Sequence, residues 1–194
     1  RRKKAIATEF GSMLSFGERR GIAIVSLVAL ILPLAGYIVF SVFPIYLKDL
    51  DIPWDATMVA GIFTALSAVT GIFASGLAGK ACDRHGRKWV LVGSGIAYVL
   101  VWGFMGLTVE PVIIAALWAV PVWSFFTVSA ITMVSDMTKP EERGRGIGLV
   151  NSALNLGGAA GSILAGYLLS REMVDNIFFL AAAVALVGMV VAVF

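Results

Sequence analysis

The side chains best equipped for chemistry lie in one short stretch, residues 79–88, which reads GKACDRHGRK. It holds the only His, the only Cys and four of the fifteen Lys and Arg residues. A thiol and an imidazole could serve a metal site or a nucleophilic enzyme, but both need partners: further ligands, or a positioned acid and base. Sequence patterns of metalloproteases, phosphate-binding loops and dinucleotide-binding folds are absent. The sequence therefore predicts no catalytic residue, no metal site and no cofactor.

The elements that hold this stretch are strongly apolar. The chain is 59% hydrophobic and 14% charged, whereas soluble domains carry roughly 25% charged residues. Runs of about 20 apolar residues are long enough to cross a bilayer as helices. Six such runs contain no Asp, Glu, Lys, Arg or His: 21–47, 58–78, 89–108, 112–134, 146–169 and 176–194. We therefore expect an all-α integral membrane protein, with a cytoplasmic segment 1–20 ahead of a six-helix bundle over 21–194.

The positive charges alternate from one side of these spans to the other. Six Lys and Arg residues precede the first span, four lie between the second and third, and three lie between the fourth and fifth. Only two occupy the opposite side. Because positive residues favour the cytoplasmic side, we expect residues 79–88, residues 135–145 and both chain termini to be cytoplasmic, in a plasma (inner) membrane. Because the positive charges are concentrated on one side of the spans, the net charge of +3 indicates a contact with the lipid bilayer and not with nucleic acid.

Small residues suggest that the six spans form two triplets. The middle span of each triplet, 58–78 and 146–169, is dense in Gly, Ala and Ser, and paired three-helix repeats are common in secondary transporters. In the fifth span Gly157, Gly161 and Ala165 recur every four residues, which permits close approach of a neighbouring helix. Gly166 is assigned the same packing role.

Polar side chains on other helical faces predict a substrate cavity. Asn151 and Asn155 lie opposite the packing face of the fifth span, where they either line a cavity or form hydrogen bonds between helices. The first and fourth spans also gather polar and aromatic residues near one face. The candidate cavity residues are Tyr37, Ser41, Trp123, Ser129, Asn151 and Asn155. All are neutral, which favours a neutral or amphipathic small-molecule substrate.

The order of residues in 79–88 resembles a cytoplasmic motif of the major facilitator superfamily, G-x-L-A-D-R-x-G-R-K/R, found between the second and third helices of a six-helix half. Ala81 and Cys82 depart from it. The matching residues are Gly79, Asp83, Arg84, Gly86, Arg87 and Lys88.

Two later stretches are also similar to that family. SDMTKPEERGRGIG resembles its other cytoplasmic loop, with Asp136 at the helix end and Arg143 in the Pro-Glu-x-Arg-Gly run. The glycines of the fifth span follow the family's antiporter motif, although Ser162 stands where that motif has Pro. Antiport is therefore not inferred from it.

The resemblance implies half of a twelve-helix transporter that works by alternating access. In this picture the matching cytoplasmic residues form a conformational latch. Asp83 faces a helix N-terminus of the other half, and Arg87 pairs with Asp136. Gly79 and Gly86 are expected to permit tight turns. The expected partners are the bilayer, a small-molecule substrate, and the other six-helix half or a second copy.

Several features favour the C-terminal half of such a transporter. The fourth span has no Arg, position 162 is not Pro, and the basic stretch before the first span resembles an interdomain linker. The alternative is a complete six-helix membrane protein that acts as a homodimeric carrier or as a scaffold without transport activity.

Overall fold

A computed structural model describes residues 16–48, 50, 52–171 and 176–194. The described chain forms seven α-helices and one 3-10 turn, Pro140–Glu142. Most of the expected cytoplasmic segment 1–20 lies outside the described residues, and its last five positions begin the first helix. The helices are α1 Phe16–Lys48, α2 Ala56–His85, α3 Arg87–Met105, α4 Pro111–Trp118, α5 Val122–Met137, α6 Arg143–Ser170 and α7 Ile177–Val193.

These helices confirm the all-α membrane fold. Five helical stretches of the described chain are long and apolar enough to cross a bilayer, and one of them, Pro111–Met137, comprises α4 and α5 together. The sixth span is the shorter apolar helix α7, which has 17 residues. The fourth expected span, 112–134, is therefore two helices and not one, because the chain leaves the α-helical path between Trp118 and Val122.

The connection at 79–88 is a corner between two helices, not a loop. α2 continues through His85, and α3 begins at Arg87. Gly86 alone separates them, with φ 86° and ψ 141°, a backbone conformation that glycine adopts without steric cost. The expectation that Gly79 makes a turn is wrong, because Gly79 lies inside α2 and keeps helical geometry.

Helix α1 forms the centre of the bundle. It packs along α6 and α7 and also contacts α2 and α5. Its side chains Val28, Leu32 and Ile38 are completely buried. The first span thus packs on the fifth and sixth, while the fourth span packs on the second and third. These pairings map onto one another when the two triplets of spans are exchanged, as a three-plus-three repeat requires.

Two glycines bring the backbones of α1 and α6 into close contact. A Cβ atom at Gly157 would clash with the Leu30 carbonyl oxygen, and one at Gly161 would lie 2.5 Å from the Leu34 carbonyl oxygen. Ala165 is fully buried on the same face. The packing role assigned to Gly166 is corrected, because this residue is exposed and a Cβ there would meet nothing within 4 Å.

We expect Gly157→Ala to destabilise the bundle by on the order of 1–3 kcal/mol, because the added methyl group would displace one backbone from another. Gly93→Ala is the matched control, because Gly93 is exposed on α3 and a Cβ there would meet nothing within 4 Å. It should be neutral, or stabilising by up to about 1 kcal/mol, since alanine restricts the unfolded chain. Thermal unfolding in detergent measures both variants. Equal stability of the two would contradict the close contact between α1 and α6.

Candidate functional site

The corner at Gly86 sets the first of two candidate sites. Because α3 begins at Arg87, that side chain lies beside the last turns of α5. The Arg87 guanidinium forms an ion pair with the Asp136 carboxylate. Its Nη1 also donates to the Thr132 carbonyl oxygen at 3.5 Å. One side chain therefore joins the corner between α2 and α3 to the end of α5.

The ion pair borders a cavity of about 490 Å³, which we call the corner cavity. Cys82 also lines it, with 4% of its surface exposed. Asp83 lines it as well, is exposed, and makes no ion pair with the residues that the structure describes. The full lining is Cys82, Asp83, Gly86, Arg87, Lys88, Met133, Asp136 and Met137.

Three predicted latch residues, Gly79, Arg84 and Arg143, are not among the residues that line the corner cavity. Arg84 is exposed near the end of α2, and Arg143 is exposed at the first position of α6. The ion pair itself is partly in solvent, with 29% of the Arg87 side chain and 55% of the Asp136 side chain exposed. Surface pairs of this kind contribute about 0–1 kcal/mol. A pair of this strength is not what holds the fold together.

A second, larger cavity of about 630 Å³ lies among α1, α2, α3 and the fourth span, and we call it the central cavity. Of the six candidate cavity residues, Tyr37 and Trp123 line it. None of its lining residues is charged. Its polar groups are hydroxyls of α2 and α5 together with Tyr and Trp, namely Tyr37, Thr64, Ser67, Ser75, Tyr98, Trp102, Trp118, Trp123 and Ser124.

The remaining four candidates are not among the residues that line the central cavity. The Ser41 hydroxyl donates to Ser162 Oγ at 3.2 Å and so bridges α1 and α6. Ser129 is fully buried and donates to the Phe126 carbonyl oxygen of its own helix. The Ser129 hydroxyl is thus satisfied within its own helix, as is common for Ser in membrane helices.

Asn151 and Asn155 lie on the exposed face of α6. The Asn155 side-chain amide donates to the Asn151 carbonyl oxygen at 2.8 Å, one turn earlier in the same helix. The contact is within α6 and does not join two helices. The two asparagines therefore lie on the exposed surface of α6 and not in the lining of the central cavity, although the sequence groups them with the cavity residues.

Sequence reasoning missed most of the aromatic wall of the central cavity. Trp102 lies 6.0 Å from both Tyr98 and Trp118, measured between ring centroids, and Phe40 lies 6.0 Å from Tyr37. Aromatic residues in an apolar span are ordinary core residues, so they gave little signal. Ser67, Gly71 and Ser75 recur every four residues, which places the two serine hydroxyls on one face of α2. This part of the cavity wall could have been predicted from that spacing.

Comparison with known proteins agrees with this architecture. The family model of the Major Facilitator Superfamily matches residues 23–194. Multidrug resistance protein 2 of Bacillus subtilis is 28% identical over 187 residues, which are 93% of this chain and 45% of that protein. Multidrug resistance protein 1 of the same organism is 27% identical over 160 residues, covering 80% of this chain and 40% of that protein.

More distant proteins show the same relation. The multi-drug resistance efflux pump PmrA of Streptococcus pneumoniae is 22% identical over 147 residues, covering 72% of this chain and 36% of that pump. The crystal structure of the human organic anion transporter MFSD10 (TETRAN) superposes with a TM-score of 0.77 at 18% identity, covering 92% of this chain and 47% of that one.

The chain spans less than half the length of each of these relatives. Its six spans fit half of the twelve-helix fold, as the sequence predicts. The family match covers nearly the whole chain, from the first span to its last residue. On this evidence the chain belongs to the Major Facilitator Superfamily, a family of membrane transporters.

Proposed function

We propose that this chain is one half, the C-terminal half, of a secondary transporter or facilitator that moves a small solute by alternating access. The observation that carries the proposal is the ion pair between Arg87 and Asp136, which ties the corner between α2 and α3 to the end of α5. A contact that joins separate helices at one end of the bundle can be made in one conformation and broken in another. The corner therefore acts as a conformational latch.

The energetics of the pair suit a latch. Two transport conformations differ by a few kcal/mol, and a surface ion pair contributes about 0–1 kcal/mol. Breaking it shifts the equilibrium without unfolding the bundle. Asp83 is exposed beside the pair. Its negative charge is attracted to the positive N-terminal end of a helix in the other half.

The exposed faces of α2 and α6 are suited to packing against a second six-helix unit. Small residues are exposed along both helices, and small residues let another helix approach closely. We propose that the other half of the transporter covers these faces, with a second copy of this chain as the alternative. The small exposed residues include Gly61, Ala65, Ala68 and Gly76 of α2, and Gly148, Ala159, Ser162 and Gly166 of α6.

The central cavity supports a neutral or amphipathic solute. Its wall is aromatic and aliphatic, with hydroxyl groups and no charged side chain. The Bacillus subtilis relatives are named for multidrug resistance, which agrees with this chemistry. The six expected spans contain no ionisable Asp, Glu, Lys, Arg or His. Any proton coupling therefore depends on groups in the other half.

The charge distribution supports an orientation with the latch on the cytoplasmic side. Thirteen of the fifteen Lys and Arg residues lie in segments that are on the same side of the six spans as the corner at Gly86, if the chain crosses the membrane at each span. Positive residues favour the cytoplasmic side. We propose a multi-pass protein of the plasma (inner) membrane with both chain termini cytoplasmic.

Loss of the ion pair should expose Cys82. We expect Asp136→Asn and Arg87→Gln each to raise the rate of Cys82 labelling by N-ethylmaleimide about twofold to fivefold, the effect of losing about 0.5–1 kcal/mol of latch stabilisation. Mass spectrometry of the peptide containing Cys82 follows the reaction in the protein expressed from its complete reading frame.

Two controls accompany this measurement. Lys139→Gln removes an exposed positive charge near the end of α5 and should leave the labelling rate unchanged. The exchanged pair Arg87→Asp with Asp136→Arg should restore slow labelling. Wild-type rates in both single variants would contradict the latch.

Removing the charge of Asp83 should slow transport while the protein stays folded. Asp83→Asn keeps the shape of the side chain but loses the helix-terminus attraction, and we expect transport in proteoliposomes to fall about twofold to fivefold. Glu141→Gln is the control, because Glu141 is also an exposed carboxylate near this end of the bundle. Unchanged transport in Asp83→Asn would remove Asp83 from the latch.

A further inference from the structure

The fourth span is broken beside the central cavity. α4 ends at Trp118, and the Val122 N–H donates to the Val120 carbonyl oxygen at 2.8 Å, not to the oxygen four residues back. Pro121 supplies no N–H group. Non-helical backbone within a span is tolerated where it lies against protein or lines a cavity, and Val120, Pro121 and Val122 all line the central cavity.

Two side chains tie the ends of this break to one point on α2. The Thr70 hydroxyl donates to the Ala119 carbonyl oxygen at 2.8 Å. The Ser124 hydroxyl donates to the Gly71 carbonyl oxygen at 3.2 Å. A Cβ atom at Gly71 would lie 3.1 Å from Ser124 Oγ, so glycine leaves room for this contact. Adjacent residues of α2 thus hold the chain on either side of the break.

The break changes which way two indole rings face. In a continuous α-helix, residues five apart lie about 140° apart around the axis, so Trp118 and Trp123 would face different surroundings. Here both line the central cavity. Phe43 stacks on Trp118 with ring centroids 3.8 Å apart and covers one of its faces. Trp123 is 43% exposed.

We propose that this break is the solute-recognition element of the central cavity, that Trp118 and Trp123 bind planar aromatic solutes, and that Thr70 is the positioning residue that holds the break in place. The inference rests on the proposed transport function and deepens it. Offset-stacked or edge-to-face contacts with an indole are favourable for an aromatic solute, and the uncharged cavity wall suits a ring system with little surrounding water.

Thr70 offers the clean test, because it is not among the residues that line the central cavity and acts through Ala119. Its single hydroxyl proton also has a local acceptor, the Ser67 carbonyl oxygen at 3.0 Å. In the wild-type protein the Thr70 hydroxyl can therefore donate to Ser67 whenever its contact to Ala119 is broken. Thr70→Val removes the contact while keeping the shape of the side chain.

The probe is ethidium, a planar aromatic cation, and the protein is expressed from its complete reading frame and reconstituted in proteoliposomes. We expect Thr70→Val to raise the KM for ethidium about threefold to tenfold, the range for losing one hydrogen bond, with kcat within twofold of wild type. Thr70→Ser keeps the hydroxyl and should restore the wild-type KM.

Thr127→Val is the matched control. The Thr127 hydroxyl donates to the Trp123 carbonyl oxygen at 2.8 Å within α5 and does not bridge helices, so the KM should not change. An unchanged KM in Thr70→Val, no restoration in Thr70→Ser, or a wild-type protein that neither binds nor moves ethidium would each overturn the inference. The proposed function is tested separately by Cys82 labelling and by Asp83→Asn, so the two failures are distinguishable.

Discussion

In hydrocarbon a backbone amide or carbonyl group without a hydrogen bond costs several kcal/mol, and this cost limits where the chain can leave the α-helical path. Long uninterrupted helices avoid it, so departures from the helical path have to be compensated. Two departures from the helical path underlie the proposed function. Gly86 turns the chain between α2 and α3 at one end of the bundle. The break between Trp118 and Val122 lies inside the fourth span, where Thr70 satisfies the Ala119 carbonyl group.

Helix α5 joins the two departures physically. It begins at the break, where Val122 lines the central cavity, and its last turn carries Asp136, which pairs with Arg87 at the corner. Sixteen helical residues extend about 24 Å, and a continuous helix transmits a small rotation along its length. We propose that the close contact of α1 with α6 at Gly157 and Gly161 forms the fixed part of the bundle during transport and that α5 moves against it.

The sequence was sufficient for much of the fold because long uncharged runs have one economical solution in a bilayer. The ion pair between Arg87 and Asp136 followed from a family resemblance, whereas spacing gave the packing face at Gly157 and Gly161. The break at Ala119–Pro121 was not predicted, since Pro is tolerated inside membrane helices and Pro33 and Pro44 do lie within α1. The cavity set was predicted in part: Tyr37 and Trp123 line it, but local hydrogen bonds hold Ser129 and Asn155 elsewhere.

We propose that the state of the central cavity is coupled to the state of the latch. It is tested most directly by labelling Cys82 with N-ethylmaleimide while a transported solute is titrated. Cys82 is the only cysteine of this chain and is buried at the corner. Coupling between the cavity and the latch predicts that the labelling rate of Cys82 changes with solute concentration and saturates near the KM for transport. A rate that stays constant up to saturating solute would contradict it.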